Sequence, residues 1–182
     1  MRTGEIMNTN IENLDAFDRA GDVNVIIETP KGSHFKYVYT PESNAFRIKR
    51  VLPPGMVFPF NFGFIPSTRG EDGDPLDIMI INEEPMATGC VLKARLLGVV
   101  HAEQTENGKT MRNDRLLGAL IDEESPAKYL FVEFDERKLA QVEFFFATYN
   151  RVSGKEFKVL GFGVAGKAEE LIEQGKIKFT KG

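Results

Sequence analysis

The chain has no tryptophan, one cysteine and two histidines among 182 residues. A lone cysteine, Cys90, supports no internal disulfide, so a reducing cytoplasm is the expected compartment. It heads a strand-like run, Val91-Leu92, where a small buried apolar residue is the usual occupant, which disfavours a nucleophilic role. His34 and His101 have no cysteine or histidine partner at zinc-like spacing and are expected at the surface or at strand ends. No apolar run approaches the roughly 20 residues that span a bilayer. The first 20 residues are mixed and polar, without the apolar core of a secretory signal. An excess of basic charge is also missing. Lys and Arg total 23 against 27 Asp and Glu, for a net charge of −4, which argues against a general nucleic-acid binder while leaving room for a small basic pocket that takes a phosphate. No internal repeat or low-complexity tract is evident.

What is present is ordinary globular material, 42% hydrophobic and 27% charged, of one-domain size and able to bury a real core. Residues 1–20 read as a loose N-terminal arm and residues 21–182 as a single domain. Val23 to Thr29 is β-branched, lies between Gly21 and Pro30, and reads as a strand. Phe35 to Tyr39 and Phe46 to Val51 read as two more around a turn at Pro41-Glu42-Ser43-Asn44. Residues 52–70 read as a long aromatic loop in which Phe58, Phe60, Phe62 and Phe64 pack as a platform. Further strands are expected near 77–82, 89–101, 116–121 and 157–162, with an Asn107-Gly108 hairpin signal before the third of the preceding group. Helical spacing begins only at Leu139, Val142, Phe145, Phe146 and Tyr149, behind a candidate N-cap, Asp135. A second helix is expected over about 166–174, ending at Gly175. Strands first and helices last predict an α+β fold, mainly β. Its form would be a small closed antiparallel β-barrel, OB-like, with two or three flanking helices.

The most informative segment is Glu71-Asp72-Gly73-Asp74-Pro75-Leu76-Asp77, which leads into Ile78-Met79-Ile80-Ile81. Gly73 permits a tight or positive-φ turn, and Pro75 fixes the next bend and excludes a helix interior. Crowded carboxylates repel one another, and a hard dication such as Mg²⁺ or Mn²⁺ relieves that repulsion with oxygen ligands. A solvated acidic turn is the competing reading. An EF-hand fits poorly, because its sixth position should be glycine and here, counted from Asp72, it is Asp77. If a dication binds, phosphoryl chemistry follows naturally, with Lys36, Arg50 and Arg115 as candidate cations for the substrate.

This acidic segment resembles the D-G-D-P-x-D signature of the family I soluble inorganic pyrophosphatases. Ile27-Glu28-x-Pro30, Lys36-Tyr37, Arg50, Pro59-x-Asn61-x-Gly63-Phe64-Ile65-Pro66 and Phe144-Phe145-Phe146 to Tyr149 match the family's remaining landmarks in order, over roughly residues 21–165. The resemblance implies hydrolysis of pyrophosphate, or a related small phosphate, by a metal-activated water attacking in line. Asp72 and Asp77 would coordinate metal, Asp74 would be the catalytic base, and Glu28 would lie in the outer shell of another ion. Lys36, Arg50 and Tyr149 would hold phosphates. Mg²⁺ is the implied cofactor, with Mn²⁺ as substitute. A homo-oligomer, a hexamer, is the implied assembly, with no nucleic-acid or membrane partner.

The sequence departs from the family's pattern at several points. Val38 stands where a glutamate is usual, Phe58 and Phe62 replace tyrosines, and Asn150 replaces a lysine. Over 103–115 the family carries two further metal-binding aspartates and a lysine. Arg115 falls at the lysine, and Asn113 or, one residue on, Asp114 falls at the second aspartate. Gln104, Glu103 or Glu106 falls at the first. Asp114 is taken as the further metal ligand, with Glu106 as the other candidate for the missing charge. Two alternatives remain: hydrolysis of another phosphoanhydride, such as a nucleotide or short polyphosphate, and a catalytically weakened binding protein with an exposed phenylalanine patch.

Overall fold

A computed structural model describes residues 10–122, 124 and 134–181. Its ordered elements are β1 (Val23–Thr29), β2 (Phe35–Thr40), β3 (Ala45–Val51), β4 (Asn61–Ile65), β5 (Leu76–Ile80), β6 (Val91–Glu106), β7 (Lys109–Arg112), β8 (Arg115–Leu120), α1 (Glu136–Arg151), β9 (Glu156–Val164) and α2 (Ala165–Lys181). Among the described residues the architecture is mainly β with two α-helices, within the expected two or three.

Five strands close into a ring in the order β1-β4-β5-β8-β6 and back to β1. The 16-residue β6 makes closure possible. Its start pairs with β1, Val23 opposite Ala94, its middle pairs with β8, and its far half carries β9 and β7. Closure leaves these five strands without a free edge. One junction differs from the antiparallel expectation: β5 and β8 run parallel, Met79 opposite Leu117. Parallel strands are characteristically covered on both faces. Ile78, Ile80 and Leu116 accordingly enter one core with Val25, Val99 and Ile172 of α2, while Met79, Ile81 and Leu117 enter a second with Phe58, Phe145 and Phe146 beneath α1. That two-sided burial is why Ile78 to Ile81 reads as an unbroken apolar run.

Several local expectations are corrected. Asn61–Ile65, expected inside a loop, is strand β4. Gly63 makes this possible, because a Cβ there would stand 2.2 Å from the Ile26 carbonyl oxygen of β1. Asn61 is fully buried but satisfied, its side chain accepting from Lys31 and Met86 N–H groups and donating to Asn82 and Glu84. Residues 1–9 of the expected arm lie outside the described residues. Residues 10–20 are docked rather than loose: Ala16 is buried, Phe17 bridges Val23, and Ser67 bonds the carbonyls of Glu12 and Leu14. Helix α2 continues through Gly175 because the missing side chain lets the helix approach Leu76 and Thr68; a Cβ would meet Leu76 at 2.8 Å. Cys90, expected buried, is exposed just before β6. Asp135 caps α1 as expected, accepting from Lys138 N–H. Among the described residues, no helix is long and apolar enough to cross a membrane.

Candidate active site

The acidic segment forms a tight turn at one end of β5. Gly73 has φ +89°, and the Asp72 side chain accepts the Asp74 N–H at 3.2 Å while the Asp74 carbonyl accepts Gly70 N–H. Local hydrogen bonds of this kind fix an Asx-type turn without any ligand. The turn brings Asp72 and Asp74 to the mouth of a cleft that Asp77, the second residue of β5, reaches from below. Glu28 of β1 forms the floor, its carboxylate accepting Tyr39 N–H at 2.7 Å.

Basic side chains line the same cleft from the β2–β3 hairpin. Lys36 pairs opposite Arg50, and the register then skips Lys49, so that Lys49 and Arg50 both line the cleft. An extra residue on one strand re-aims a side chain in this way, and it is why Lys49 was not anticipated from alternation. Helix α1 closes the cleft with Tyr149, whose ring lies 5.8 Å from Lys36 Nζ and 5.1 Å from the Arg50 guanidinium. Cations over aromatic faces are held without loss of charge. Arg50 also donates to Ser153 Oγ. Ser153 and Lys155, likewise unanticipated, complete that wall. Lys36, Lys49 and Arg50 have no ion-pair partner among the described residues. The cleft holds about 240 Å³.

The register of 103–115 is resolved by alternation at the start of β8. Asn113 and Arg115 line the cleft, whereas Asp114 lines a neighbouring hollow toward α2 that Asp72, Asp77, Asn113 and Arg115 also border. Asn113 donates to the Gln104 side chain at 3.1 Å, so Gln104 and Asn113 form a neutral pair. Glu106 lines the cleft but is ion-paired with Lys155 at 2.7 Å. Glu103 sits opposite Arg112 in the β6–β7 pairing and does not line it. Asp114, expected as a further metal ligand, is held by other partners. Its carboxylate accepts the Ala102 N–H at 2.9 Å, pairs with Arg112 at 2.9 Å and lies 3.1 Å from His101, so both oxygens are committed behind the strand. Arg115 does face the cleft, but it sits on Asp77, with 2.7 Å between Nη1 and Oδ2.

The site's electrostatics reflect crowding. Burial first, and the neighbouring Asp77, push Glu28 up from 4.5 to about 7, against the opposing pull of the Tyr39 N–H, Lys36 and Lys49. Asp72 is also raised, by burial of its carboxyl and then by Asp77 and Asp74, although the residue as a whole lies on the exposed rim. Such mutual repulsion is what a hard dication relieves, and an all-carboxylate oxygen set suits one. The donor chemistry of Asp72, Asp74 and Asp77 therefore fits a divalent ion. The carboxylates line a cleft rather than a finished nest, for no group of three or more such side chains is already assembled around one point among the described residues. Phe58, Phe60 and Phe64 are buried against α1 and the ring, so the exposed phenylalanine patch of the binding-protein reading is not formed.

Comparison with known proteins gives one consistent result. The inorganic pyrophosphatase family model matches residues 25–180. An inorganic pyrophosphatase of Helicobacter pylori is 34% identical over 177 residues, covering 95% of this chain and 99% of its own. One from Rhodospirillum rubrum is 37% identical over 159 residues, covering 85% and 87%. The crystal structure of inorganic pyrophosphatase from Thermus thermophilus superposes with a TM-score of 0.82 at 31% identity, over 96% of this chain and all of that one.

Proposed function

This chain belongs to the inorganic pyrophosphatase family, and from that premise we propose that its cleft hydrolyses pyrophosphate to two phosphates by direct attack of water. The observation that carries the reading is that one cleft is lined both by Asp72, Asp74 and Asp77 and by Lys36, Lys49 and Arg50. Lys36 and Lys49 act on the Glu28 carboxylate in the same cleft. Clustered carboxylates suit a dication, and the neighbouring cations suit a phosphate.

The family implies a divalent metal, which we take to be Mg²⁺, with Mn²⁺ able to substitute. Asp72 and Asp77 would hold it, with Asp74 beside them and Glu28 behind. When bound, it activates water and neutralises charge on phosphoryl oxygens. The remaining work falls to the chain. Asp74, at the mouth of the cleft, accepts the proton of the attacking water as general base. Lys36 and Arg50, braced by the Tyr149 ring, clamp the phosphate that is to leave and balance its growing charge. Arg115 neutralises Asp77 from below. Asp114 is assigned the lesser role of holding Arg112 and His101 behind β8.

A longer substrate is the second reading. An adjoining hollow shares Glu28, Lys36, Lys49, Asp74 and Asp77 with the cleft and is lined further on by Arg47 and Arg69 together with Glu12 and Glu42, so another phosphoryl group would meet cations there. Assembly into a homo-oligomer, a hexamer, belongs to the proposal and is supported by exposed apolar residues of β9 and α1, Phe144, Phe162 and Val164. A cytoplasmic setting rests on the single cysteine.

The test is phosphate release from pyrophosphate, tripolyphosphate and ATP in Mg²⁺, Mn²⁺ and EDTA. Fastest release from pyrophosphate, abolished by EDTA, is expected. Faster release from tripolyphosphate or ATP would favour the second reading, and no release from any of them would refute both.

A further inference from the structure

The acidic turn is carried by the connection over residues 66–75, between the end of β4 and the start of β5. The two ends of that connection meet, for Ile65 and Leu76 are partners at the end of the β4–β5 ladder. Thr68 joins them. Its hydroxyl donates to the Ile65 carbonyl at 2.6 Å and accepts the Leu76 N–H at 3.1 Å, so one side chain spans both limbs. The residue is 1% exposed, and α2 covers it: a Cβ at Gly175 would stand 3.2 Å from Thr68 Cβ. Water is thereby kept from replacing the hydroxyl, and a buried amide stripped of its partner is costly.

The residues on either side of Thr68 are tied to distant parts of the chain. Ser67, in the left-handed region at φ +52°, gives its N–H to the Glu12 carbonyl at 2.7 Å and its hydroxyl to the Leu14 carbonyl at 2.8 Å. Arg69 gives its N–H to the Gly175 carbonyl of α2 at 3.0 Å, and its guanidinium lies 5.8 Å from the Phe179 ring. Ser67 and Arg69 thus anchor the departing limb to the body of the molecule. Thr68 sets where the returning limb runs against it. That limb carries Asp72 and Asp74 and leads through Leu76 directly into Asp77. The bonds from Asp74 N–H to Asp72 and from Gly70 N–H to the Asp74 carbonyl fix the shape of the turn, but not its placement on β5. A metal site needs its ligands held to within about 0.5 Å. Groups that hold the ligands, rather than the metal, cost roughly 10–100-fold in affinity when removed.

We propose that Thr68 is a positioning residue of the active site: its buried hydroxyl pins the acidic turn to the head of β5, so that Asp72 and Asp77 are set for a dication before one arrives. The inference rests on the metal-dependent reading above, and its test reads metal uptake and amide exchange as well as turnover.

The test compares the original protein with Thr68→Val, which keeps the branched shape and loses the hydroxyl, and with Thr68→Ser, which keeps the hydroxyl. Mn²⁺ uptake by the substrate-free proteins is followed by electron paramagnetic resonance, at a temperature where circular dichroism shows all three folded. Thr68→Val is expected to bind Mn²⁺ roughly 10–100-fold more weakly, and to need more Mg²⁺ by a similar factor for half-maximal pyrophosphate hydrolysis, while Thr68→Ser stays within about threefold of the original. A merely structural threonine would lower the unfolding temperature of Thr68→Val and leave the Mn²⁺ affinity of the folded protein unchanged. That result would overturn the proposal while leaving the metal reading intact, as would a Thr68→Ser protein as weak as Thr68→Val. No uptake by the original protein would overturn both. Should Thr68→Val fail to fold, amide exchange in the original protein decides the matter. In EDTA the Leu76 amide is expected to be protected already, with Mg²⁺ slowing its exchange by no more than about tenfold. Free exchange in EDTA, with protection only on adding Mg²⁺, would mean that the metal and not Thr68 orders the turn, and would refute the proposal.

Discussion

Replacing Glu28 by glutamine exposes the electrostatic cost of the cleft floor. The Glu28 carboxyl is pushed from 4.5 to about 7, with burial the leading cause. A carboxyl whose affinity for its proton rises on folding stabilises the fold fully below the ordinary value, and that contribution is lost as pH climbs through the raised one. The window is therefore pH 4.5 to about 7. At about 1.4 kcal/mol per tenfold change in proton affinity, the full swing is roughly 3 kcal/mol. Asp72 is raised as well and pushes the original protein's curve the same way, so the difference between the two proteins isolates Glu28. Glutamine keeps an acceptor for the Tyr39 N–H and carries no charge, so Glu28→Gln should gain on the original protein as pH rises. In EDTA, thermal unfolding from pH 4 to 8 should show the variant's advantage growing by roughly 5–15 °C, since about 1 kcal/mol moves the midpoint of a domain this size by about 2–4 °C. Parallel curves across that range would refute the reasoning.

Other perturbations read different parts of the account. Asp74→Asn should lower kcat for pyrophosphate by roughly 10²–10⁴, as loss of a general base does, with folding unchanged by circular dichroism. Tyr149→Leu removes the ring that braces Lys36 and Arg50, each contact worth about 0.5–2 kcal/mol, so KM should rise about tenfold with a smaller change in kcat. Gly63→Ala should destabilise the ring by roughly 3 kcal/mol, seen in urea unfolding, because the clash is with the Ile26 backbone and cannot be relieved by a rotamer change.

The acidic turn was legible because its chemistry is local. Gly73, Pro75 and the Asx bond of Asp72 fix the bend from neighbouring residues, and the apolar run of β5 follows directly. The cap at Asp135 was readable for the same reason. What escaped the sequence depends on distant partners. Which way Asn113, Asp114 and Arg115 face depends on how this stretch pairs with the distant β6, with Asn113 N–H bonded to the Ala102 carbonyl and Arg115 opposite Val100, and no residue near 114 signals that pairing. The cleft-lining position of Lys49 likewise depends on a skip opposite Lys36 and Tyr37. Two glycines were misleading: Gly63 sits in a strand and Gly175 in a helix because another chain segment presses on each, which looks in one dimension like a loop or a stop.

The central claim is that the chemistry sits with the acidic turn in the cleft and not with the aspartate behind β8. The most direct measurement is pyrophosphate hydrolysis in saturating Mg²⁺ by Asp72→Asn beside Asp114→Asn. Both changes remove one charge and keep the shape. Asp72→Asn should lose about a hundredfold or more in kcat/KM, a loss of roughly 2.7 kcal/mol in transition-state stabilisation, while Asp114→Asn stays within a few-fold of the original. An Asp114→Asn protein that is folded but as inactive as Asp72→Asn, or an Asp72→Asn protein with undiminished activity, would contradict the account.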